Sequence, residues 1–356
     1  MVQTAGGAAL MPQLSAQSAN WPPKLGPGLP KICVIGAASE AHMRQLKQLG
    51  IDYIIGGGGI REYPWTEDNV RAQLDRAKAA GLTIINIMIR QPTEVVLGKP
   101  EANQVIDNFI KSIHAAGKAG LPVIEYNFYA HRLTEGYYEE LGRGGAGLTA
   151  FSYDKVKDLP PNPAAGTQTR EQQFKRAEGF LNAVIPEAEK ANVRLALHPN
   201  DPPAPLSRGS EQLMATFENW KRYLSLVKSP YNGMTFDCGV TRELGEDPVA
   251  VCKWMGERDQ INHVHFRNVV VRKPYVDYTE VFIDEGSVNM FAVMKELVRV
   301  KYRWGLYPEH PRALDIDRQR ENGIPGQYAK TGGGGFVGEV YNIAYAKAML
   351  QAVLAS

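Results

Sequence analysis

The sequence predicts an α/β fold, a (β/α)8 TIM barrel, and three observations carry the prediction. Eight short β-rich runs recur along the chain, each followed by a polar or Gly/Pro break and then a helical stretch or a long loop. The junctions "KAAGLTI" and "KAGLPVI" repeat one grammar, a helix closed by glycine just before the next strand. After the first run, "IGAASEAH" lacks the GxGxxG fingerprint of a doubly wound dinucleotide-binding sheet, the competing architecture.

Taken in order, the expected strands are "KICVIG" (31–36), "DYIIG" (52–56), "LTIINIMI" (82–89), "LPVIEYNF" (121–128), "VRLALH" (193–198), "GMTFD" (233–237), "INHVHF" (261–266) and "WGLYPE" (304–309). Helices are expected over 67–80, 101–119, 168–191, 210–227, 287–301 and 337–354. Thr66 before acidic residues opens the first of these and Gly81 closes it. Ser210 opens the fourth, with an apolar face at Leu213, Phe217, Trp220 and Leu224. The "GGGG" runs at 56–59 and 332–335 have no following Lys-Ser/Thr, so they read as mobile turns rather than phosphate loops. The stretches 129–167 and 310–336 are too long for plain connections and are expected to fold irregularly over the strand ends.

The length, 356 residues, suits one barrel, expected over 26–356 behind a flexible arm or leader remnant at 1–25. The arm carries a small-residue site near Ala16–Gln17–Ser18 but no charged leading segment and no solid apolar core, so the compartment, cytoplasmic or periplasmic, stays open. With 44% hydrophobic and 22% charged residues and a formal charge of +2, the chain reads as a globular enzyme. No basic stripe points to nucleic acid, and no apolar run approaches the roughly 20 residues of a membrane helix. Cys33, Cys238 and Cys252 are odd in number and far apart, which argues against a disulfide framework or a CxxC zinc pair. A homo-oligomer is expected, since such barrels often pair through their loop layers.

In a barrel, the residues that close the strands face the catalytic mouth. The late strands end on Glu125 or Asn127, then His198, Asp237, His265 and Glu309. Two imidazoles and two carboxylates at four consecutive strand ends are the donor set of an octahedral divalent ion. Without thiolate they favour Mn²⁺, with Mg²⁺, Co²⁺ or Fe²⁺ as alternatives. Each residue also has a plainer reading: a core histidine, a helix-capping Asp237, a Glu309 paired with Arg312. It is their joint placement that points to metal. His263 shares a strand face with His265, which is preferred because it lies nearer the mouth. Cys238 would replace Asp237 if the register slipped by one. His310 is placed to move protons, and Glu125 is a second candidate catalytic group. Arg267 suits a substrate carboxylate, and Asn127, Tyr129, His131 and Arg132 suit a carbohydrate pocket, although packing and loop ion pairs would explain them too.

These residues resemble the mannonate dehydratase family, metal-dependent enzymes on a xylose-isomerase-like barrel. The likeness spans most of the chain and is strongest at "YNF" (126–128), "RLALHPNDPP" (194–203), "SPYNGMTF" (229–236), "HVHFRNV" (263–269) and "YPEHPR" (307–312). It implies His198 and His265 as metal ligands, Glu309 where the family has an aspartate ligand, and His310 as the neighbouring catalytic histidine. The sequence departs from the family where "TFC" becomes "TFD", placing Asp237 at a thiolate position, and where "PDHG" becomes "PEHP". The family's tyrosine before the last helix meets "GGGGFVGEVY", with Phe336 near its position and no phenol until Tyr341. The "YNF" strand continues as "YAHRLTEG" in place of a tryptophan-bearing stretch.

The expected function is therefore a divalent-metal-dependent lyase that dehydrates a sugar acid. The alternative is a sugar isomerase or epimerase sharing the metal, which the Asp237 position and the missing tyrosine favour. A barrel that binds carbohydrate without turning it over is the third reading.

Overall fold

The structure, a computed structural model, describes residues 22–36, 39–56, 60–319 and 331–356. Residues 1–21 of the expected arm, and 57–59 of the first glycine run, lie outside the described residues. The strands are, in chain order, β1 (Lys31–Ile35), β2 (Tyr53–Ile55), β3 (Thr83–Met88), β4 (Val123–Tyr126), β5 (Tyr137–Leu141), β6 (Gly147–Ser152) and β7 (Arg194–Leu197). There follow β8 (Leu206–Ser207), β9 (Ser210–Glu211), β10 (Asn232–Asp237), β11 (Ile261–His265), β12 (Asn268–Lys273), β13 (Asp277–Val281) and β14 (Gly305–Tyr307). The helices begin with α1 (Glu40–Gln48), α2 (Glu67–Ala79), α3 (Thr93–Leu97), α4 (Ala102–Ala119), α5 (Arg170–Ala191) and α6 (Phe217–Leu226). They end with α7 (Cys238–Glu243), α8 (Pro248–Gly256), α9 (Met290–Arg299), α10 (Asp315–Gln319) and α11 (Phe336–Ala355).

Eight parallel strands close in the order β1, β14, β11, β10, β7, β4, β3, β2, which rules out the open doubly wound sheet. All eight expected strands are these eight, because each is a short apolar run buried on both faces between turn residues. Helices close on the predicted signals. Thr66 and Asn69 form a capping box at α2, and Thr169 and Gln172 form another at α5. Gly120 ends α4 at φ +91°, a conformation that suits glycine. Phe109 of α4 meets Phe180 of α5 edge to face at 5.0 Å, fixing these helices over β4 and β7.

Two expectations are corrected. The helix expected over 210–227 begins only at Phe217, capped by Thr216, whose side chain accepts from Asn219. Ser210 lies instead in the β8–β9 hairpin, donating to Gly166 O and accepting from Gln168 N. The stretch 129–167 is also not merely irregular. It supplies β5 and β6, which join β13 and β12 in a four-stranded antiparallel sheet outside the barrel. Phe151 and Tyr278 stack across that sheet at 5.3 Å, in a small core with Leu133, Val156 and Ala204. Within 310–336, residues 320–330 lie outside the described residues.

Candidate metal centre

Four contiguous barrel strands deliver the predicted donors. Asp237 and His265 are the last residues of β10 and β11 and are register partners, while His198 and Glu309 follow β7 and β14. The opposite rim ends in apolar side chains, Ile35 of β1 and Met88 of β3, both exposed.

His198, His265 and Glu309 each have one atom tied down and the other turned to a shared space, whereas Oδ2 of Asp237 also accepts from Arg267 Nη1 at 2.8 Å. The Nδ1 of His198 lies 2.7 Å from Pro199 O, and its Nε2 lies 3.2 Å from the Nδ1 of His265. His265 has Glu125 Oε1 behind it, 3.4 Å from Nε2. Asp237 accepts from Val240 N at 2.8 Å with Oδ1, capping α7, while Oδ2 is 3.9 Å from His265 Nδ1. Glu309 takes a hydrogen bond on Oε1 from Arg267 and sets Oε2 3.0 Å from His265 Nδ1. An octahedral ion with bonds near 2.1 Å separates adjacent donors by about 3 Å and opposite ones by about 4.2 Å. Measured from His265 Nδ1, the spacings of 3.0, 3.2 and 3.9 Å to Glu309, His198 and Asp237 are of that order, and the mixed nitrogen and oxygen donors suit a hard divalent ion. Asp237, His265 and Glu309 form one group with mutually close donor atoms, and Glu125, His198 and His265 form another.

The two open questions of register have clear outcomes. His263 sits one layer deeper, fully buried, its ring in the space left by Gly305, where a Cβ would come within 2.9 Å of it. Burial lowers His263 to about 4. Cys238 points away from the donors and donates its thiol to His265 O and Arg267 O.

Arg267 is placed differently from its expected role. Its guanidinium is buried among protein carboxylates: Nη1 lies 2.8 Å from both Asp237 Oδ2 and Glu309 Oε1 and 3.4 Å from Asp201 Oδ2, and Nη2 lies 3.0 Å from Glu243 Oε1. Gly239 makes room for it, since a Cβ there would sit 2.6 Å from the arginine. Arg267 thus offsets buried negative charge instead of facing open space. Burial pushes Asp237 up to about 7, against the pull of Arg267 and with Glu309 beside it. Burial also disfavours charge on His265, yet Glu309 and Glu125 raise it to about 9. His198, buried and next to His265, drops to about 4 and stays neutral.

Glu125, the second catalytic candidate, lies behind the donors. It is buried beneath His265, accepting from Thr235 Oγ1 at 2.7 Å and from Asn86 Nδ2 at 2.8 Å. His310 stands beside the donors, its Nε2 3.4 Å from Glu309 Oε2 and its Nδ1 2.8 Å from Glu280 Oε2. Burial opposes its charge, but Glu280 and Glu309 raise its pKa. The loop after β4 is half-buried. Asn127 donates to Met88 Sδ at 3.7 Å, Tyr129 carries a phenol raised by burial, and the Nδ1 of His131 lies 2.9 Å from Ser207 Oγ. Arg132 donates to Asp201 O at 2.7 Å. Sequence reasoning missed Asp201, Glu243 and Glu280. Asp201 stood in view within "HPNDPP", whereas Glu243 and Glu280 gave no signal in the chain.

The profile of the D-mannonate dehydratase (UxuA) family matches residues 166–355. Mannonate dehydratase of Streptococcus pneumoniae (strain 70585) is 27% identical over 305 residues, covering 78% of this chain and 82% of that protein. The crystal structure of mannonate dehydratase from Streptococcus suis serotype 2 superposes with a TM-score of 0.80 at 25% identity, covering 92% of this chain and 95% of that one. A xylose-isomerase-like TIM barrel protein from Mycobacterium smegmatis, solved in complex with magnesium, shares the fold at a TM-score of 0.56 and 14% identity, over 92% of this chain and 98% of that one.

Proposed function

Because the chain belongs to the D-mannonate dehydratase family, we propose that it dehydrates a sugar acid, with a divalent cation held by His198, Asp237, His265 and Glu309. The observation that supports the reading is that Asp237, His265 and Glu309 hold donor atoms close to one another beside His310, with His198 Nε2 3.2 Å from His265 Nδ1. The mixed nitrogen and oxygen set suits Mn²⁺ first, then Mg²⁺, Co²⁺ or Fe²⁺. When bound, the cation supplies positive charge for a substrate carboxylate or neighbouring hydroxyl and for the negative charge that grows as the α-proton leaves.

The chain's own residues do the rest. The C–H bond α to the carboxylate and the C–O bond at the β carbon break, water departs, and the resulting enol becomes a 2-keto-3-deoxy acid. His310 Nε2, beside Glu309, takes the α-proton and hands it to the departing β-hydroxyl, so that the two leave together as water. Glu125 acts through His265, holding the ring from behind, and Arg267 keeps the ligand carboxylates compact. Asn127, Tyr129 and His131 line the rim for the sugar hydroxyls.

The test is incubation of Mn²⁺-loaded protein with a panel of aldonic acids in D₂O. A 2-keto-3-deoxy product is expected from at least one. Solvent deuterium entering recovered substrate without loss of water would favour an isomerase or epimerase instead, and no turnover across the panel with metal bound would overturn the reading.

A further inference from the structure

We propose that Glu280 and Arg312 form a clamp that holds His310 with its Nε2 toward the reaction centre, making both positioning residues for the proton transfer. This rests on the reading of His310 given above and adds residues from outside the barrel.

His310 is a non-glycine residue at φ +46°, a conformation L-residues rarely adopt, and Pro311 narrows its backbone further. Such a conformation persists only where surrounding contacts over-determine it. Here they do. Arg312 donates to His310 O from Nε at 2.8 Å and from Nη2 at 2.5 Å. The same arginine donates to Glu280, at 2.9 Å to Oε2 and at 3.3 Å to the backbone oxygen. Glu280 Oε2 in turn receives Nδ1 of His310 at 2.8 Å. A carboxylate facing a guanidinium only accepts, so the Nδ1 must carry the hydrogen, leaving Nε2 on the Glu309 side.

The clamp is stiff because Glu280 sits on β13, paired with Val269 of β12 on one side and Thr149 of β6 on the other. The second glycine run, expected to be a mobile turn, closes it from above. Gly334 N donates to Pro311 O at 2.6 Å, and a Cβ on Gly334 or Gly338 would come within 2.2 or 2.6 Å of Arg312 O. Those glycines allow backbone to press on backbone at the arginine. The added sheet and the glycine run therefore serve one histidine.

The experiment compares full-length wild type, Glu280→Leu, Glu280→Gln and Arg312→Lys, reading kcat and KM on a sugar acid that is turned over, bound Mn²⁺, and the ¹⁵N tautomer signal of His310 in Mg²⁺-loaded protein. The His310 signal is assigned by its loss in His310→Ala. Glu280→Leu is expected to lower kcat about 100-fold with KM and bound Mn²⁺ within about twofold, and to lose the Nδ1–H tautomer. Glu280→Gln keeps an acceptor oxygen and is expected to recover kcat to within about tenfold of wild type, so its behaviour decides the matter if the leucine variant does not fold. Arg312→Lys, which cannot span both acceptors, is expected to lower kcat with KM unchanged. A Glu280→Leu protein with wild-type kcat, or one whose KM and metal content fall together with kcat, overturns the clamp. If His310→Ala turns over normally, the role given to His310 fails instead, and the tautomer signal alone still decides whether Glu280 orients the ring.

Discussion

Arg267 and Asp201 show how much of the candidate site's electrostatics is set by buried side chains paired with one another. A buried guanidinium shared by four carboxylates holds together groups that would otherwise repel. Asp201 is part of that arrangement, accepting from Tyr137 Oη at 2.6 Å. Burial alone would raise its pKa, but Arg267 and then Arg132 hold it well below the usual carboxylate range near 3.9. A carboxyl depressed by folding adds stability that is fully present above about pH 4 and is lost as pH falls toward the folded value. Asp201→Asn removes that contribution at every pH. The Tm gap between wild type and this variant should therefore be widest near pH 6 and shrink toward pH 3. A gap that stays constant across that range would contradict the assignment.

At the scale of elements, the four-stranded sheet outside the barrel brings Glu280 to the mouth, and Asn268 ties β12 to the connection between β13 and α9. Its Oδ1 accepts from Val269 N and Val288 N, at 2.9 and 3.0 Å, and its Nδ2 donates to Ile283 O and Val288 O, each at 3.3 Å. Asn268→Ala leaves buried backbone groups without partners, so chemical denaturation should show a loss of about 2–4 kcal/mol. A loss below about 0.5 kcal/mol would mean that the tie carries no weight. This sheet was illegible in the sequence for a physical reason. Its two hairpins, β5–β6 and β12–β13, join only through β13 and β6, whose partners such as Glu280 and Thr149 lie more than a hundred residues apart, and neither "YYEEL" nor "NVVVRK" alternates cleanly in burial. The barrel strands were legible because each is a continuous buried run that ends on a polar residue. The strand-end positions of the proposed donors His198, Asp237, His265 and Glu309 could be read from the sequence, whereas Glu243 and Glu280 meet the candidate site only once the loops have folded. The surroundings of Arg267 could not be read from the sequence because the carboxylates around it come from three separate segments.

Across the whole molecule, the mouth depends on both ends of the described chain. β1 closes the cylinder against β14, and α11 reaches back so that Asn342 donates to Pro308 O at 3.2 Å and Glu309 O at 3.0 Å. The last helix thus grips the backbone that carries one proposed ligand, and the fold as a whole fixes where the four donors meet. Equilibrium dialysis against Mn²⁺ is the most direct test of that meeting, performed on wild type, on alanine variants of His198, Asp237, His265 and Glu309, and on Cys238→Ala as the control whose thiol faces away. A single tightly bound ion in wild type and Cys238→Ala, lost from each of the other four, is the expected result. Wild type that binds no ion, or alanine variants that bind as tightly as wild type, would contradict a shared metal centre at the barrel mouth.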